Sequence, residues 1–165
     1  MKNIIVTVCC ITGLISGFSS NAQGDNHREF LPMLISATSS NVTSSTKINQ
    51  AFLGYFKNAT KLSWYEVDNK FLVKFLQNDL ENRALFTKKG QLVYHICYGT
   101  EKLLPANVRE LIKTNYYDQA ITRVLQVNQD RKQIWVIHME DDKEFIMARV
   151  EDMDLEETKR MTKTK

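Results

Sequence analysis

The sequence predicts an α+β fold built from tandem α-β-β-β-β repeats, with an antiparallel sheet and the helices packed on one face. Three observations predict it. "NATKLSW" (Asn58 to Trp64) and "DQAITRV" (Asp118 to Val124) recur about sixty residues apart. Each follows an apolar helical stripe ending in an aromatic, Phe56 or Tyr117. Each precedes β-rich runs separated by Asn, Asp or Gly turns, the signature of successive hairpin strands. One such unit is too thin to bury both its helix and its sheet, but two stacked units can share a core.

The first helix is expected over Lys47–Lys57, "KINQAFLGYFK". Ile48, Ala51, Phe52, Tyr55 and Phe56 fall on one face of a 3.6-residue period, and Thr46 is placed to cap it. Four strands are expected next. In the first, Leu62, Trp64 and Glu66 alternate with Ser63, Tyr65 and Val67. In the second, Lys70–Gln77, Phe71, Val73 and Phe75 share one side and Leu72, Lys74 and Leu76 the other. Asn82–Thr87 and Gln91–Tyr98 complete the meander. Asp68-Asn69, Gln77-Asn78-Asp79 and Lys89-Gly90 supply turn chemistry between them.

The second unit opens with Pro105, suited to a helix's first turn, and with a stripe of Leu104, Val108, Leu111 and Ile112. Strands are expected over Ile121–Val127, Lys132–Met139 and Glu144–Val150, with turns at Asn128–Arg131 and Glu140–Lys143. Glu151–Arg160 reads as a turn and a weak last strand. Phe52, Phe56, Leu111 and Ile112 are expected in the core. The repeats thus occupy 47–100 and 101–160, followed by a tail over 161–165.

Residues 1–22 read as a signal peptide. Lys2 precedes an apolar run from Ile4 to Phe18, and Ser20-Asn21-Ala22 places small residues where signal peptidase cuts, after Ala22. The apolar run is shorter than the ~20 residues of a membrane span. Val8 ahead of Cys9, early in that run, argues against lipid attachment at Cys9 or Cys10. Residues 23–46 read as a mobile linker, Ser/Thr-rich from Ser36, with "FLPMLI" (Phe30 to Ile35) as a stretch that could dock on the domain.

The full chain carries 22 Lys and Arg against 19 Asp and Glu, a net charge of +3. Cleavage would remove Lys2 and no acid. That balance excludes the strongly basic nucleic-acid binders. Only Cys97 would survive cleavage, so the fold is expected to stand on its core and not on an internal disulfide.

The residues also resemble a family. "FKNATKLSW" sets an aromatic two residues before Asn-Ala, then a β-run carrying Trp64. "NKFLVKF" and "ALFTKKGQL" follow, and "LLPANVRELIKTNYY" opens the second helix on Leu-Pro. This is similar to the secreted PepSY-like proteins of Bacteroidetes-type bacteria, which resemble in fold the β-lactamase inhibitor protein (BLIP). The similarity covers about Ile48 to Glu157. The last turn of each such repeat usually reads Asp-x-x-Gly. Here Thr87-Lys88-Lys89-Gly90 keeps the glycine and Arg149-Val150-Glu151-Asp152 does not. The resemblance implies a periplasmic or surface protein with a binding or inhibitory role and no cofactor.

No catalytic motif stands out: there is no Gly-rich phosphate loop, no Gly-x-Ser-x-Gly and no His-Glu-x-x-His. His95 and Cys97 share one strand face, and with His138 a Cys/His₂ metal cluster is conceivable. A metal site needs three or four converging ligands, so no metal is expected. As a nucleophile pair, His95 and Cys97 are about 7 Å apart along one strand, too far for easy hydrogen bonding.

The expected function is therefore that of a secreted or periplasmic, non-enzymatic binding protein, with inhibition of an envelope protein as one form of that role. The alternatives are an envelope enzyme using His95, Cys97 and His138, or a small-molecule or lipid carrier. The expected partner is a protein of the cell envelope, met on an open sheet face bearing Leu72, Lys74, Leu76, Ile134, Val136 and His138. No catalytic residue, cofactor, nucleic acid or membrane span is expected, and nothing in the chain sets an oligomeric state.

Overall fold

The computed structural model describes residues 46–164. The leader, its cysteines, the linker with "FLPMLI", and His27 lie outside the described residues. Helix α1 (Thr46–Tyr55) leads into β1 (Thr60–Val67), β2 (Lys70–Gln77), β3 (Leu80–Thr87) and β4 (Leu92–Gly99). A short 3₁₀ turn (Glu101–Leu103) precedes α2 (Ala106–Asn115). Then come β5 (Ala120–Gln129), β6 (Lys132–Glu140), β7 (Glu144–Glu151) and β8 (Asp154–Thr162). The strands form one eight-stranded antiparallel sheet in sequence order. Thr46 is the first helical residue, not an outside cap, and Pro105 stands at the N-cap of α2.

Four hairpins close with two-residue loops in which both residues are left-handed: Asp68-Asn69, Asn78-Asp79, Asp130-Arg131 and Asp152-Met153. Such paired positive φ angles define the type I′ turn, whose twist matches that of the flanking strands. Asn and Asp tolerate this region best among residues with a side chain. The final hairpin therefore forms without a glycine. Gly90 (φ 82) is needed where it stands: a Cβ there would come within 3.1 Å of the Ala51 Cβ on α1.

Each helix seats its stripe on its own four strands, so each half has its own core cluster in place of the shared core expected from the sequence. Ile48, Phe52 and Phe56 pack on Val73, Phe75, Ala84 and Phe86. Phe52 is the hub, with ring centroids 5.0 Å from Phe75, 5.2 Å from Phe56 and 5.5 Å from Trp64. Leu104, Val108 and Ile112 pack on Val124, Ile137, Ala148 and Val150, flanked by Trp135 and Ile146. Leu111, expected in the core, is half-buried, because it lies at the flank of the Leu104–Val108–Ile112 stripe. Both helices lie on one side of the sheet. His95 touches the ring of Phe56, the residue after α1, pairs across the ladder with Asn128, and Asn128 shares its face with Val124 beneath α2.

Phe52→Ala should therefore lower stability by about 3–5 kcal/mol, since the residue is 1% exposed and its ring packs against four other aromatic rings. Tyr117→Ala, at a side chain 81% exposed, should change it by less than about 0.5 kcal/mol. Urea denaturation of the two variants distinguishes them.

Candidate functional site

The sheet has a second face, turned away from both helices. The expected register holds: Phe71, Val73, Phe75, Trp135 and Ile137 lie on the helix side, so Leu72, Lys74, Leu76, Ile134, Val136 and His138 point outward. Their exposure differs from the expectation of an open apolar patch. Leu72 and Ile134 are 2% exposed and Val136 is 4% exposed, while Lys74, Leu76 and His138 are half-buried. Leu85, Ile96, Leu125 and Val127 join them as buried outward residues. The physical reason lies in the neighbours across each ladder. Tyr65 pairs with Leu72, Tyr94 with Leu85, and Tyr98 with Leu125, so long side chains flank each short apolar one.

The result is an apolar floor under a layer of tyrosines and cations. The Lys74 ammonium lies 4.9 Å from the Tyr65 ring centroid. The Arg83 and Arg123 guanidinium groups lie 5.1 Å and 6.0 Å from the Tyr98 ring. Farther along, the His138 ring meets Phe145 edge-on at 5.5 Å. Burial lowers the His138 pKa, and the Arg123 charge adds to that. Tyr94, Tyr98, Arg83 and Arg123 were absent from the sequence-based site. The alternation in "QLVYHICY", which sets Tyr94, Ile96 and Tyr98 on one face, signalled the tyrosines; Arg83 and Arg123 come from β3 and β5, outside that run.

On the helix side, His95 sits at the β4–β5 junction. Its Nε2 donates to Asn82 Oδ1 at 2.8 Å, and its Nδ1 accepts from Asn128 Nδ2 at 3.3 Å. Asn82, 3% exposed, donates in turn to the Leu80 carbonyl at 2.8 Å. Phe56 and Phe75 close over the ring, with centroids 4.8 Å and 6.2 Å away. Both ring nitrogens are engaged in the neutral form, and burial pushes the His95 pKa down to about 4.

That geometry bears on the chemical alternatives. Cys97 shares this face, but burial pushes its thiol pKa up, away from the thiolate a nucleophile needs. His95 has no free ring nitrogen to take a proton from it. His138 is on the opposite face, so His95, Cys97 and His138 do not converge. Among the described residues no group of three or more His, Cys, Asp or Glu side chains could hold a metal ion. The space a carrier would need beneath α1 is filled by Phe52, Phe56, Phe75 and Phe86 in mutual ring contact.

An eight-stranded antiparallel sheet with two helices is an α+β architecture of BLIP-like form. The same fold is seen in a BLIP-like protein of Bacteroides fragilis, with TM-score 0.63 and 16% identity over 75% of this chain and 91% of that one. A DUF2874 family protein of Bacteroides ovatus gives TM-score 0.61 and 17% identity over 73% and 89% of the two chains. A candidate periplasmic protein of Bacteroides eggerthii gives 0.60 and 15% over 73% and 90%. Identities this low establish shared fold alone. No protein-family description matches the sequence, and no curated protein does. No helix among the described residues is long and apolar enough to cross a membrane.

Two outcomes follow from the burial just described. Val136→Asp should unfold the chain or cut its stability by several kcal/mol, because it places an unpaired charge at a buried site, whereas Lys74→Ala should keep a near-native melting temperature. Thermal melts of both variants check this.

The His95 ring also makes stability depend on pH. Its pKa is about 4 in the fold against an ordinary 6.5, so the unfolded chain accepts a proton that the native one refuses. This contribution to stability is whole above about pH 6.5 and is lost progressively as the pH falls toward 4. His138, also lowered, acts in the same direction. His95→Gln should flatten the slope without abolishing it, measured by denaturant unfolding across that window.

Proposed function

We propose that this chain is a secreted or periplasmic binding protein without a reaction of its own, which meets another protein of the cell envelope through the outward face of its sheet. Inhibition of that partner is the form of the role that the BLIP-like fold favours. We also read the two halves as PepSY-like tandem repeats over 47–100 and 101–160, because each runs helix, then four antiparallel strands, with the helix on the same side. A signal peptide ending at Ala22 would deliver the chain to the envelope, which agrees with the candidate periplasmic neighbour.

The observation that carries the reading is the composition of the outward face. Tyr65, Tyr94 and Tyr98, with Lys74, Arg83 and Arg123, are half-buried or exposed above a fully buried apolar floor. Tyrosine and arginine over a dry base is the composition in which binding energy concentrates at protein interfaces. Leu72, Ile134 and Val136 then support the site from below, while Lys74, Leu76 and His138 remain within a partner's reach.

A photo-reactive amino acid placed at Lys74 or at His138, with Tyr117 as control, tests this in cells. The expected result is an adduct of one envelope protein at both face positions and not at Tyr117. Equal labelling at Tyr117, or no adduct at either face position, would overturn the reading.

A further inference from the structure

The outward face is not evenly charged. Toward β7 and β8 its carboxylates are neutralised within the chain. Glu151 pairs with Lys132 and with Arg149, Glu156 pairs with Arg149 at 3.5 Å, and Glu140 pairs with Lys163 at 3.2 Å. Between β2 and β5 the pattern inverts. Lys74, Arg83 and Arg123 take part in no ion pair among the described residues, and each lies over a tyrosine ring instead. Glu81 faces the same way and adds negative charge beside Tyr98, but it pairs with neither arginine.

We propose that the Arg83–Tyr98–Arg123 cluster, with Lys74 beside it, receives the carboxylates of an acidic segment of the partner protein. The proposal rests on the outward face being the binding face. Its chemistry is specific. A guanidinium laid across a ring keeps the N–H edges of its plane free, and those edges match a carboxylate in a two-bond fork. The Tyr98 ring holds one arginine from β3 and one from β5, so two forks are pre-positioned before any partner arrives. The buried Ile96 and Leu125 beneath lower the local dielectric, which strengthens an ion pair made there.

A polyanion fits less well. A phosphodiester backbone or a lipid surface would also meet the unpaired Glu81 beside the cluster, and the net charge of +3 offers no broad attraction. An acidic peptide can place single carboxylates on the arginines and apolar side chains between them.

The test titrates ¹⁵N-labelled protein with a short peptide alternating Glu with Leu and Phe, and with its Gln-substituted counterpart. The expected result is selective movement of the Arg83 and Arg123 guanidinium Nε–Hε signals with the Glu peptide, weakened by added NaCl. Arg83→Glu and Arg123→Glu should each weaken binding by about tenfold or more, with Arg→Lys intermediate. The wild-type titration does not depend on how the variants fold. Equal binding of the Gln peptide, absence of guanidinium shifts, or tighter binding of duplex DNA or of phosphatidylglycerol vesicles would overturn the proposal. If photo-adducts at Lys74 and His138 persist in Arg83→Glu, the acidic-partner inference fails while the binding face stands. If the photo-reactive chain with Arg83 intact gives no adduct, both fail.

Discussion

The β4–β5 ladder, from Tyr94 opposite Gln129 to Gly99 opposite Val124, turns two helix-plus-meander units into one sheet. Without it each unit would expose a strand edge. With it, the two helices fall on one side and a single broad surface on the other. The ladder also fixes which side chains meet at the centre. His95 comes to lie between Asn82 and Asn128, and Tyr98 between the strands that carry Arg83 and Arg123. A shift of one residue in this pairing would exchange those two sets between the faces.

Alternation along single strands was enough to orient β2 and β6. Phe71, Val73 and Phe75 against Leu72, Lys74 and Leu76 can be sorted because one set contains the larger aromatics. What alternation does not reveal is how deeply the second set is covered. Both parities of "KQIWVIHM" are apolar, and the structure buries Ile134 and Val136 as well as Trp135 and Ile137. The cover comes from tyrosines and cations on the neighbouring strands, and which of them stands opposite which apolar residue is set by the register between strands. The Tyr98 cluster was hidden for the same reason: it draws on β3, β4 and β5 together. The final hairpin was legible only in part, because Asp152-Met153 reaches the left-handed region without the glycine that usually marks it.

The histidines show how environment decides chemistry that residue type leaves open. His95 and Cys97 share a strand face, as spacing required, yet burial moves both pKa values away from those of an activated pair. His95 instead acts as a neutral connector that satisfies two asparagines beneath a pair of phenylalanines. His138, at the other face, is half-buried and close enough to Arg123 to feel its charge.

The strand order is the sequence order, and this shapes how the chain assembles. Six of the seven ladders join strands separated by a tight turn or short loop, so each can zip from its own hairpin with little loss of chain entropy. Only β4 and β5 must wait for the segment 100–119, which contains α2, to close behind them. Each half can therefore collapse around its own helix first, and the joining of the halves is the step that carries the long-range entropy. A chain ordered in this way has low contact order for so strand-rich a protein, a property associated with quick folding. Fast closure of the seam would also shorten the time for which the inner edges of β4 and β5 are open to pairing with another chain.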